Sequence, residues 1–160
     1  MPCRRGATLG RLAPRARHAE GDGGNRAGRF RRCQVQPLRH RDKLLANGEK
    51  FLVRTDGPDG ALHEYEIAYT FGVYPLQQYL IAMPGGRLQA LGIAWDARPK
   101  EQGAQRWIHL YPDQKLPAGD RLHWTGRDQT WNYQCADCHS TGLTKNYDLA
   151  ADTYATRGPM

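Results

Sequence analysis

The chain has 160 residues and a formal net charge of +7, enough for one modest domain or a piece of a larger protein. The charge is segregated: residues 1–50 hold 13 Lys and Arg against 4 Asp and Glu, a net of +9, whereas residues 51–160 hold 10 against 12, a net of −2. No apolar run approaches the ~20 residues that span a bilayer, and four cysteines are too few for a disulfide scaffold.

Residues 1–42 are rich in Arg, Gly, Pro and Ala and contain one aromatic, Phe30. Neither strand nor helix periodicity is present, so the segment is expected to be disordered. Arg4 and Arg5 open as a signal peptide does, but Arg11, Pro14, Arg15 and Arg17 break up any apolar stretch, so no export signal is expected. The aromatic and glycine-hinged features of nucleic-acid recognition are absent, so the arginines predict no nucleic-acid partner. A further reading is out-of-frame translation. Back-translated with ordinary codons and read one nucleotide later, Arg29–Asp42 can give an alternating, strand-like sequence that runs directly into Lys43.

From Lys43 the pattern is that of a mainly β protein, an antiparallel meander over residues 43–127. Asn47-Gly48 is a hairpin signal linking Leu44–Ala46 to a strand over Lys50–Thr55. Asp56-Gly-Pro-Asp-Gly60 is a turn cluster. His63, Tyr65, Ile67, Tyr69, Phe71 and Val73 alternate with Leu62, Glu64, Glu66, Ala68, Thr70 and Gly72, which predicts one long strand with the first set on one face. Strands follow at Leu76–Met83 and Arg87–Trp95, separated by the turn Pro84-Gly85-Gly86. The loop Asp96–Gln105, a short strand Arg106–Tyr111 and the loop Pro112–Asp120 complete the region. Its Tyr and Trp residues are expected in the core.

Residues 128–147 hold the chemistry. Cys135-Ala-Asp-Cys138-His139 is a C-x-x-C-H sequence. Residues three apart share one face of a helical turn. Two thiols so placed can add across the two vinyl groups of a haem, and the next His can present its imidazole to the iron. Asp128 is the expected N-cap of the short helix and Gly142 its expected C-cap. A half zinc site, a redox-active pair or incidental cysteines are the rival readings; the first wants a second ligand pair and the second a βαβ context, both missing. Residues 148–160 read as a tail.

Three blocks occur in order. They are Tyr69-Thr-Phe-Gly-Val-Tyr-Pro-Leu-Gln-Gln-Tyr-Leu80 with Pro84-Gly-Gly-Arg-Leu-Gln-Ala90, then Trp107-Ile-His-Leu-Tyr-Pro-Asp113, then His123-Trp-Thr-Gly126 with Trp131-Asn132 and the C-x-x-C-H run. Together they resemble the bacterial multihaem c-type cytochromes whose chains often also carry tetratricopeptide repeats. The resemblance covers about residues 43–157 and implies an internal fragment of such a cytochrome. It implies one covalent haem c on Cys135 and Cys138, with His139 as iron ligand and metal-binding residue. The implied role is electron transfer in the periplasm with other haem sites or redox proteins as partners, rather than a complete enzyme. His109 and His123 are candidates for the sixth ligand, as is a residue from elsewhere. The alternative is a non-haem structural or binding domain whose Cys pair takes zinc or is unused.

Overall fold

The computed structural model describes residues 33–34, 42–47 and 50–158. Most of the basic N-terminal segment, with the expectation of disorder attached to it, lies outside the described residues. Within it, Cys33–Gln34 form a two-residue strand (β1) paired antiparallel with Lys43 and Leu44.

The expected meander is present as a seven-stranded antiparallel sheet in sequence order. After β1 come β2 (Lys43–Asn47), β3 (Lys50–Asp56), β4 (Leu62–Phe71), β5 (Leu76–Met83), β6 (Arg87–Asp96) and β7 (Arg106–His109). The hairpin expected at Asn47-Gly48 joins β2 to β3, but Asn47 pairs with Lys50 and so belongs to the strand rather than to the centre of the turn. β4 stops at Phe71 because Gly72 turns the chain with φ +73; a Cβ there would lie 2.6 Å from the Leu76 carbonyl oxygen. β7 ends at His109, two residues short of the expected Tyr111. There the Tyr111 N–H donates to His109 Nδ1 at 3.0 Å and bends the chain out of the ladder.

The sheet carries a core on each face. Leu44, Val53, Ile67, Tyr79, Ile81, Leu91, Ile93 and Trp124 are buried together on the first, with Tyr65, Trp95 and Trp107 packed against them. Leu80, Leu88, Ala90, Trp131 and Ala136 are buried on the second, with Tyr69, Phe71, Cys135 and Leu143 partly buried around them. The meander's Tyr and Trp residues expected in the core are therefore mostly there, though Tyr74 is exposed.

One expectation about β4 is overturned. Its odd-numbered residues do not share a face. Ile67 pairs with Ile81 and Tyr69 with Leu80, so Ala68 is an extra residue in the ladder. Such a bulge shifts the alternation by one. Tyr65 and Ile67 face the first core, whereas Tyr69 and Phe71 face the second.

After β7 the chain crosses from one face to the other. Trp124 belongs to the first core, and its indole N–H donates to the Asp56 carbonyl at 2.6 Å. Thr130 makes an isolated antiparallel bridge with Gln89 of β6, and Trp131 then enters the second core. Two single-turn helices follow, α1 (Trp131–Gln134) and α2 (Ala136–His139). The segment read as a tail instead carries a small hairpin, β8 (Tyr147–Asp148) and β9 (Thr153–Tyr154). It docks on the β5–β6 turn. Gly86 has φ +69, and a Cβ on it would come within 2.0 Å of the Tyr154 carbonyl oxygen.

Candidate functional site

The C-x-x-C-H sequence occupies the junction of α1 and α2. Cys135 sits between the helices with φ −106 and ψ −31, and its N–H donates to the Trp131 carbonyl at 3.0 Å. Its own carbonyl accepts the N–H groups of Cys138 at 3.1 Å and His139 at 3.0 Å. Both thiols and the imidazole thus belong to one continuous turn, as the spacing predicts. Ala136, fully buried, lies against the sheet; Cys135 is half-buried, while Cys138 and His139 are exposed. Both cysteines are free thiols. Burial, and then the neighbouring Cys138, push the Cys135 thiol above its ordinary pKa.

The caps differ from expectation. Thr130 stands at the N-cap of α1 and makes no side-chain cap bond. Asp128 lies instead in the 3₁₀ turn Arg127–Gln129, and its carboxylate accepts from Arg121 at 3.0 Å. α2 ends at Ser140, which is extended; Gly142 takes φ +68 two residues further on.

A tie that the sequence did not announce fixes this short element to the sheet. Asn132 is fully buried. Its Oδ1 accepts the Leu88 N–H of β6 at 2.6 Å, and its Nδ2 donates to the Gly86 carbonyl at 3.2 Å and to Thr156 Oγ1 at 2.7 Å. One amide therefore joins α1, the β5–β6 turn and the C-terminal segment. An Asn directly after a buried Trp is the only sequence signal for it. On the outer side, Lys145 donates to Asp137 at 2.7 Å and to the Tyr133 carbonyl at 3.2 Å.

The wall beside the thiols comes from the bulged end of β4. The Phe71 ring packs on Trp131 with centroids 6.3 Å apart and meets the His139 imidazole edge to face at 5.9 Å. Among the described residues neither ring nitrogen of His139 is hydrogen-bonded. The Trp131 indole N–H is buried without an acceptor beside the same apolar cluster.

This donor set fits a haem attached through its vinyl groups: two free thiols one turn apart, an adjacent imidazole with uncommitted nitrogens, and an apolar aromatic wall. Among the described residues no three His, Cys, Asp or Glu side chains are gathered as a metal-ion site.

The two sixth-ligand candidates stand elsewhere. His109 and His123 line one cleft on the first face of the sheet together with Val53, Ile93 and Trp124. His123 is buried; its Nε2 meets Asp56 Oδ2 at 3.1 Å and its Nδ1 meets Thr125 Oγ1 at 2.7 Å. Both ring nitrogens are thus committed. The structure does not bring either histidine to the face on which His139 stands.

No helix among the described residues is long and apolar enough to cross a membrane. Comparison with protein-family models, curated proteins and solved structures finds no significant match.

Proposed function

We propose that the chain is a c-type haem electron-transfer module. Cys135 and Cys138 would hold one haem through thioether bonds, and the His139 imidazole would be a nitrogen ligand to its iron. The observation that carries this reading is the single hydrogen-bonded turn that places two free thiols and an uncommitted imidazole in succession beside Phe71. The bound haem would supply one-electron chemistry; the protein's part is to anchor it, set the ligand and limit its exposure to water.

The chain's own residues divide that work. Ala136 and Trp131 seat the turn on the sheet. Asn132 locks its backbone to β6. Burial raises the pKa of the Cys135 thiol, so at any given pH less of it is thiolate than of an ordinary cysteine.

Haem attachment of this kind belongs to the periplasm of the bacteria that the sequence resemblance points to. The periplasm is therefore the proposed compartment, and other haem sites or redox proteins are the proposed partners. The alternative, a structural domain whose Cys pair takes zinc, requires further ligands from outside the described residues. Covalent haem after co-expression with an export signal and the attachment machinery is the test; zinc in its place would overturn the proposal.

A further inference from the structure

Phe71 and His139 come from distant parts of the chain and meet by an unusual route. The bulge at Ala68 turns Phe71 from the first core to the second. Gly72, with φ +73, ends the strand immediately after it, which fixes where the ring is delivered. Trp131 backs the ring at 6.3 Å. His139 lies at the last position of a four-residue helix, exposed, and its ring nitrogens make no hydrogen bond among the described residues.

Ligating histidines are ordinarily oriented by a hydrogen bond from the second ring nitrogen to a carboxylate or carbonyl. Here the contact on the His139 ring is aromatic. Edge-to-face pairs of this separation favour a defined interplanar angle, and this one is 71° at 5.9 Å.

We propose that Phe71 is the positioning residue of the haem site: its ring sets the plane of the His139 imidazole and shields that side of the site from water. The proposal rests on the haem reading above. It assigns a function to the β4 bulge, because regular alternation would place residue 71 on the opposite face of the sheet.

Two arms test it on the full chain, with Phe71→Ala and the volume-retaining Phe71→Leu. In the haem-free chain, NMR of the His139 ring protons reads the contact directly. A ring-current shift that disappears in both variants is expected; resonances identical in parent and variants would overturn the contact. In the haem-loaded chain, parent and variants are compared per covalent haem bound. The variants' ferric electron paramagnetic resonance signal should broaden as the imidazole plane loses its definition. The reduction midpoint should move to more negative potential, further in Phe71→Ala, as water reaches the site. Unchanged resonance and potential in both variants would overturn the positioning role while leaving the haem reading intact. A parent chain without covalent haem would overturn the haem reading, and with it the role given to Phe71.

Discussion

The Asn132 side chain accepts the Leu88 N–H at 2.6 Å from a fully buried position, and so fastens the helical turn that bears the thiols to the edge of β6. The same amide reaches Gly86 and Thr156. The thiol turn comprises only two four-residue helices without side-chain caps. Helices this short are unstable alone, so tertiary ties of this sort hold it.

Replacing Asn132 with Leu should therefore cost about 2 to 3 kcal/mol, chiefly through the buried Leu88 N–H and Gly86 carbonyl left unpaired. Denaturant unfolding gives the magnitude. Hydrogen exchange should show faster exchange at Leu88 and through residues 131–139, with the β2–β3 hairpin little changed.

The Gly86→Ala substitution places a Cβ within 2.0 Å of the Tyr154 carbonyl oxygen at a φ of +69. Backbone must move, at a cost of about 2 kcal/mol or more. The expected result is local. The β8–β9 hairpin should detach from the β5–β6 turn, releasing the Arg87–Asp152 ion pair, and residues 147–154 should become the first site of limited proteolysis.

Asp96 is buried at the end of β6, where its carboxylate accepts Arg98 Nε at 3.0 Å and the terminal guanidinium nitrogen at 2.7 Å. These bonds hold its pKa below the usual carboxylate value of 3.8. A group depressed in the folded state stabilises the fold above its unfolded pKa, and that contribution is lost as pH falls through the folded one. Asp96→Asn should therefore lower stability at pH 7 and flatten the loss of stability below about pH 4. An unchanged acid limb would contradict this account.

The two thiols should differ in reactivity. Cys138 is exposed, whereas Cys135 is half-buried with a raised pKa. Alkylation followed by mass spectrometry should label Cys138 first at pH 7, and labelling of Cys135 should rise only above the ordinary thiol range near pH 8.5. Denaturation should make the two rates equal.

Strand order and most strand limits were legible because punctuation in this chain is strong: Asn47-Gly48, Asp56 to Gly60 and Pro84 to Gly86 each break an otherwise apolar pattern. The bulge was not. His63 to Val73 alternate without a fault, and only pairing with β5 reveals that Ala68 is extra. The C-x-x-C-H turn was legible because its spacing is local. Its surroundings were not, since Phe71 and Leu88 reach it from distant strands and only the folded chain shows what Asn132 of α1 bonds to. The same limit applies to His109 and His123, which lie close in sequence to the site but on the other face. The β8–β9 hairpin escaped notice because two-residue strands carry no periodicity.

The most direct test is covalent haem on the exported full chain. Produced with an added export signal and the attachment machinery, then denatured, the chain should retain haem absorbance and carry the mass of one haem. The Cys135→Ala/Cys138→Ala variant should carry none. His139→Ala should keep the haem but change its spectrum. A parent chain free of haem and holding stoichiometric zinc would contradict the account.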